Sequence, residues 1–202
     1  AKSNFFLLET MRWDPSEGIS HKDLHLDRIT ASAKHFGFDF DREKTSDSLN
    51  QIQEKTSKRV RLLSSPNGVI EIQILDLPEP TTESWEVPID VVPVQSENEF
   101  LFHKTTMRDI YDEARNRFPD SPDVLLWNER GEITETTTGN LVMEIGGQLF
   151  TPPVICGLLP GTFRQQLLDE GAITENVIHR SDLDKASAIW MINSLRGWVP
   201  LR

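Results

Sequence analysis

The apolar run Phe5-Phe-Leu-Leu8 continues through Glu9-Thr-Met-Arg-Trp13, and the stretch from Phe5 to Trp13 predicts a strand closed by the turn signal Asp14-Pro-Ser-Glu-Gly18. The apolar period then lengthens. Leu24, Leu26, Ile29, Ala33 and Phe36 recur at roughly helical spacing, and Gly37 supplies the stop. Part of a second helix is expected within Ser46 to Gln53. Lys58-Arg-Val-Arg-Leu-Leu63 and Val69-Ile-Glu-Ile-Gln-Ile74 flank Ser65-Pro-Asn-Gly68, a hairpin signal. Pro78, Pro80, Pro88 and Pro93 then suggest a linker or crossover between two halves.

The second half opens near Val94. Its pattern predicts a helix over Thr106 to Phe118, a buried strand over Val124 to Trp127 and a turn at Asn128-Glu-Arg-Gly131. Asn140 to Ile145 and Gln148 to Phe150 form a hairpin around Gly146-Gly147, and Arg164 to Asp169 is helical with Gly171 as its stop. Asp182-Leu-Asp-Lys-Ala186 reads as a capped helical turn, and Ala188 to Ile192 as the final strand. This alternation indicates an α/β or α+β chain of two subdomains, residues 1–93 and 94–202, with a cleft between them.

Composition narrows the picture. The 202 residues are enough for one large domain or two small ones, and 37% hydrophobic with 26% charged residues is the balance of a soluble globular protein. Apolar runs such as Val124-Leu-Leu-Trp127 are too short to span a bilayer, and Phe5-Phe-Leu-Leu8 is too brief for a signal peptide. A single cysteine, Cys156, excludes an internal disulfide and fits a reducing, cytoplasmic setting; its apolar neighbours suggest a small buried hydrophobe. A net charge of −11 argues against nucleic acid and anionic membranes as partners. An anionic cofactor would need basic groups gathered locally, and Arg12, Arg28, Arg59, Arg61, Lys104, Arg108, Arg164 and Arg196 fall in or beside the segments discussed next.

Lys104 sits in Phe100-Leu-Phe-His-Lys-Thr-Thr-Met-Arg108, with Arg108 one helical turn onward and aromatic neighbours before it. Neighbouring cations or burial would lower its pKa and free the amine to attack a carbonyl; otherwise it is a solvated lysine. Glu135 shares a strand face with Ile133 and needs a cationic partner there, unless it lies in solvent at a sheet edge. Gly161 and Thr162 could offer successive N–H groups to a phosphate at a helix start, or merely cap it. Arg28 could reach a phosphate or pair with a local acid, and Ser194 could add a hydroxyl. An imine-forming amine, an acid and a phosphate-sized turn, in that order, are the parts a pyridoxal phosphate enzyme needs. The histidines form no metal pattern; His21 and His25, at i and i+4, read as surface residues.

Together these segments resemble the class IV aminotransferase family, the fold-type IV pyridoxal phosphate enzymes. The likeness runs from Glu9-Thr-Met-Arg12 through His25-Leu-Asp-Arg28, Lys104-Thr-Thr, Glu135 with Asn140, Thr151-Pro-Pro153 and Leu159-Pro-Gly-Thr-Phe-Arg164 to Asn193-Ser-Leu-Arg-Gly-Trp-Val-Pro200. The resemblance implies that Lys104 is the Schiff-base lysine and Glu135 the partner of the pyridine nitrogen. Arg28, the backbone of Thr162 and Phe163, and Ser194 would hold the phosphate of pyridoxal 5'-phosphate, with Asn140 completing the cofactor site. Relatives carry Gly-Ile-Thr-Arg where this chain has Gly161-Thr-Phe-Arg164, so a threonine side-chain contact at Phe163 is lost while the backbone donors remain.

Within the family the chain is most similar to the aminodeoxychorismate lyase branch, particularly the lyase domain fused to component I of para-aminobenzoate synthase. That likeness implies conversion of 4-amino-4-deoxychorismate to para-aminobenzoate and pyruvate, with Thr10 assisting proton transfer and Arg12, Arg61 and Arg196 binding substrate carboxylates. The alternatives are a branched-chain or D-amino acid aminotransferase and a relative that keeps the fold without catalysis. A homodimer is expected, and association with a synthase component is possible under the same likeness. Relatives have a longer segment before the strand of Thr10, so an uncovered sheet edge is expected there unless a partner covers it.

Overall fold

The computed structural model describes residues 4–202. The chain forms two compact units. One holds the residues up to Glu79 together with His103–Met107; the other holds Pro80–Phe102 and Arg108–Arg202. The first unit therefore ends at Glu79 rather than at residue 93, and it includes Lys104, which the sequence had assigned to the second half.

The first unit is built from strands β1 (Leu7–Asp14) and β2 (Gly18–Ile19), helices α1 (Lys22–Phe36) and α2 (Arg42–Asn50), and the hairpin β3 (Lys58–Ser64) and β4 (Ile70–Asp76). Its antiparallel sheet has the order β2-β1-β3-β4. Gly37 ends α1 at φ 68, a left-handed position that favours glycine. Asp41 caps α2 by accepting from the Lys44 N–H, which is why α2 starts earlier than its apolar residues indicated. The register from Leu7↔Ser64 to Trp13↔Lys58 puts Leu7, Glu9, Met11 and Trp13 on one face, in line with Val60 and Leu62. Helix α1 covers β1 with His25, Leu26, Ile29, Ser32 and Ala33 buried.

The outer edge of β1, expected to lie open, is covered by the chain's own His103–Met107 segment. Leu7 bridges Thr105, the Leu8 N–H donates to the Lys104 carbonyl at 3.0 Å, and the Thr106 N–H donates to the Phe6 carbonyl at 2.9 Å. The same pairing keeps residues 105 and 106 out of the following helix, which starts at Asp109 rather than Thr106.

The second unit contains α3 (Asp109–Arg117), β5 (Leu125–Trp127), β6 (Ile133–Thr136), β7 (Asn140–Ile145), β8 (Gln148–Thr151), α4 (Thr162–Asp169), β9 (Thr174–Glu175), β10 (Ala188–Asn193) and β11 (Gly197–Leu201). Its sheet runs β11-β10-β7-β6-β5, with β8 also on β7 and β9 parallel to β8. Leu167 of α4 packs with Val142, Ile173 and Ile192, while Tyr111 and Ala114 of α3 pack with Val94, Leu101, Val124 and Leu126.

The Pro-rich stretch from residue 80 onward belongs to this unit: Trp85, Ile89 and Val94 make parallel bridges to Leu201, Leu125 and Asn128. The last strand is β11 rather than Ala188 to Ile192; Pro200 hid it, and it is tolerated because β11 ends the strand order and only the isolated Trp85 bridge lies beyond it, with the Pro200 carbonyl accepting from the Trp85 N–H. Cys156 is buried, as its apolar neighbours indicated. Burial first, then the Glu132 carboxylate, pushes its thiol up to about 12, so it stays protonated. No described helix is long and apolar enough to cross a membrane.

Candidate active site

Five of the expected site residues, Thr10, Arg12, Arg28, Arg61 and Lys104, lie in the first unit. Arg28 is anchored by a residue the sequence reading did not single out, Glu9. Strand alternation drives Glu9 into the α1-facing core at 1% exposure. A carboxylate in that place costs several kcal/mol unless it is paired and hydrogen-bonded. Arg28 supplies a fork, Nε to Oε1 at 2.7 Å and Nη2 to Oε2 at 2.6 Å, and His25 Nδ1 meets Oε2 at 2.7 Å.

Burial works against ionisation of Glu9, but the charge and hydrogen bonds of Arg28, with the bond from His25, outweigh it and hold the carboxyl down to about 2. An ionised carboxylate only accepts, so His25 Nδ1 carries the proton in that bond. Burial lowers the His25 pKa, the Glu9 bond opposes this, and the positive charges of Arg28 and Lys104 lower it further. The imidazole is neutral, and the Lys104 charge is felt at this triad.

His25 is thus a core residue and not a surface one. His25, Arg28 and Ile29 follow at i, i+3 and i+4 and share the covered side of α1. Arg28 does pair with a local acid, the alternative the sequence left open. The fork fixes the plane of the guanidinium. Thr10 and Arg12 point to the opposite sheet face, where the register sets Thr10 across from Arg61 and Arg12 across from Arg59. Arg61 Nη1 donates to Gln73 Oε1 at 3.2 Å.

The second unit carries Glu135, Asn140, Thr162, Phe163, Ser194 and Arg196. Glu135 is buried on β6, so it is no solvated edge residue. Its carboxylate accepts from Tyr111 Oη at 3.0 Å and from the Leu159 N–H at 3.3 Å. Burial, then the Glu135 charge, raises the Tyr111 pKa well above its usual value, so the phenol remains a donor. Tyr111 escaped the sequence reading because nothing in the helical pattern of α3 shows what its hydroxyl meets.

The register Glu135↔Asn140 closes through a tight turn at Thr136-Thr-Thr-Gly139, where the Thr136 N–H donates to the Gly139 carbonyl at 2.9 Å. Buried Asp123 holds that turn: it accepts from the Thr137 N–H and hydroxyl at 2.9 and 2.6 Å, and from the Thr138 hydroxyl. Asn193 Nδ2 donates to the Thr138 carbonyl, while its Oδ1 accepts from the Leu195 and Arg196 N–H groups, which shapes the turn bearing Ser194. Arg196 lies over the Trp85 ring at 5.1 Å. Arg164, by contrast, is buried and donates to the Pro152 carbonyl and Glu175; it serves structure.

Asn140 connects this turn to α4. Its Nδ2 donates to the Leu159 carbonyl at 2.8 Å, and a Cβ on Gly161 would collide with its Oδ1, so any larger residue there forces the Asn140 side chain to move. Gly161 also leaves the first turn of α4 without a side-chain cap, at Thr162 and Phe163. Each unit carries part of what a phosphorylated pyridine aldehyde needs. In the first, a fixed guanidinium suits a phosphate and Lys104 brings an amine; in the second, a helix N-terminus suits a phosphate and a buried carboxylate suits a protonated ring nitrogen. Gly161→Ala is therefore expected to displace Asn140, lowering stability by about 1–3 kcal/mol and weakening retention of pyridoxal phosphate. Thermal melts and cofactor titration measure the two effects.

The fold is that of the fold-type IV enzymes. The chain matches the family model described as amino-transferase class IV over residues 7–202 and belongs to that family, whose members depend on pyridoxal phosphate. It is 32% identical over 182 residues, 85% of this chain and 79% of the other, to a Schizosaccharomyces pombe protein named "Putative aminodeoxychorismate lyase". A Mesorhizobium loti structure named "Putative amino-acid aminotransferase" is 38% identical with a TM-score of 0.90, covering 98% of this chain and 99% of that one. The 4-amino-4-deoxychorismate lyase of Pseudomonas aeruginosa shares the fold at TM-score 0.84 and 16% identity, over 98% of this chain and 82% of that one.

Proposed function

We propose that the protein is a pyridoxal phosphate-dependent lyase that converts 4-amino-4-deoxychorismate to para-aminobenzoate and pyruvate. The observation that carries this reading is the Thr10 hydroxyl set across from Arg61 on the strand face that also bears Arg12. An elimination that expels a carboxylate-bearing group needs a proton donor beside carboxylate-binding cations. Transamination expels no such group and has no leaving fragment to protonate. The Schizosaccharomyces pombe relative supports the same activity.

When bound, the cofactor supplies an electron sink beside the amine-bearing carbon of the substrate. Lys104 takes the proton from that ring carbon. Glu135 keeps a proton on the pyridine nitrogen, which its burial beside the Tyr111 donor favours. The neighbouring carbon–oxygen bond breaks, the ring becomes aromatic, and Thr10 helps to protonate the departing enolpyruvate, which becomes pyruvate. Arg12, Arg61 and Arg196 bind carboxylates. Arg28, the Thr162 and Phe163 N–H groups and Ser194 hold the phosphate, and Asn140 keeps their turn in place. A homodimer belongs to the same reading.

The test is pyruvate release from 4-amino-4-deoxychorismate, followed by coupled lactate dehydrogenase without any added keto acid. Steady release is expected. The Mesorhizobium loti structure favours a second reading, an aminotransferase. Turnover of a branched-chain or D-amino acid that requires a keto acid acceptor, with no pyruvate from aminodeoxychorismate, would establish that reading instead.

A further inference from the structure

The face of β1 and β3 that bears Thr10 holds one more arginine than the reaction above employs. Arg12 and Arg59 stand directly across from each other, next to the Thr10↔Arg61 pair. Like charges in register on an antiparallel pair repel, and three arginines gather here although the whole chain carries a net −11. The nearby acids have other partners. Asp14 accepts from the Ser16 N–H and hydroxyl and from the Ser57 hydroxyl, and the Arg12 charge is the smallest influence on it. Glu71 accepts from Gln73 Nε2 at 2.6 Å, and Arg61 already uses the Gln73 oxygen. Arg59 faces Leu75 on its other side, an apolar residue. Its Nε is buried and has no hydrogen-bond partner among the described residues. A guanidinium N–H withdrawn from water and left without an acceptor is costly, and a carboxylate satisfies it with a charge-assisted bond.

We propose that Arg59, with Arg12 across the strand pair, forms a carboxylate subsite distinct from that of Arg61, and that this subsite makes the protein select doubly anionic substrates over singly anionic ones. The inference rests on the reading that substrate binds over Thr10. It adds a residue to that site and names the property it selects: a second carboxylate.

The test uses the cofactor-loaded protein and two unreactive probes, chorismate with two carboxylates and benzoate with one. Calorimetry compares wild type, Arg59→Met and Arg59→Lys. The loss of one charge-assisted bond corresponds to about a tenfold change in affinity. Chorismate is expected to weaken by about tenfold or more in Arg59→Met, with partial recovery in Arg59→Lys and benzoate affinity unchanged within about twofold. Equal weakening of both probes, or unchanged chorismate affinity in Arg59→Met with an unaltered circular dichroism spectrum, overturns the subsite. Pyruvate release by the same wild-type preparation reports on the lyase reading separately. Its absence alongside Arg59-dependent chorismate selectivity discards the lyase and supports the subsite.

Discussion

Lys104→Ala is expected to lower turnover of the cofactor-saturated protein by at least about 10³-fold, because one side chain both anchors the cofactor and carries the proton. The fold should survive. What Lys104 contributes to the edge of β1 is its backbone carbonyl, which accepts from the Leu8 N–H, and alanine keeps that bond. The melting temperature is therefore expected to stay near that of wild type, so that lost turnover reports chemistry and not unfolding. Borohydride reduction followed by peptide mapping gives a second readout: a pyridoxyl adduct on Lys104 in the wild type and none in the variant. An adduct on another lysine, or turnover that persists in the variant, would refute the assignment.

The parts of the fold that could be read from the chain were those set by neighbours in sequence. The β3–β4 hairpin follows from Ser65-Pro-Asn-Gly68, where Gly68 adopts φ 79, and the end of α1 follows from Gly37. What escaped depends on distant pairing. The His103–Met107 segment joins the first unit because β1 offers it an open edge, and nothing within residues 103–107 announces that. Strand β11 contradicts a local rule at Pro200 and is rescued by its place at the end of the sheet.

The site divides along the same line. Lys104, Glu135, Asn140 and the Gly161 turn were singled out by order and spacing, because their motifs are contiguous. Glu9, His25, Tyr111 and Arg59 act through residues far away in sequence. Glu9 did carry a signal. It alternates with Leu7 and Met11 on the buried face, and an acid in an apolar stripe requires a cation, which α1 offers from Arg28 on the side of Leu26 and Ile29.

Glu9→Gln is expected to have the largest effect on stability of any conservative change in the first unit. It leaves the Arg28 guanidinium, at 12% side-chain exposure, facing another donor in place of a carboxylate. Removing one partner of a buried pair costs about 3 kcal/mol or more, so the melting temperature at pH 7 should fall by about 6–12 °C. The pH dependence carries the sharper evidence. Glu9 has a folded pKa of about 2 against an ordinary 4.5, so the unfolded chain takes up its proton first as pH falls. Its contribution, about 3 kcal/mol, is complete above 4.5 and disappears as pH drops toward 2. His25 acts in the same direction at higher pH. Its folded pKa is depressed from 6.5, so stability already begins to fall once pH drops below that value. In Glu9→Gln the lower of these two phases is absent. Removing the carboxylate also removes what raises the His25 pKa, so the stability gap between wild type and variant should hold or widen from pH 7 to about pH 5 and then narrow toward pH 3 in urea titrations. A gap that stays constant across that range would mean that the Glu9 charge is not what holds Arg28.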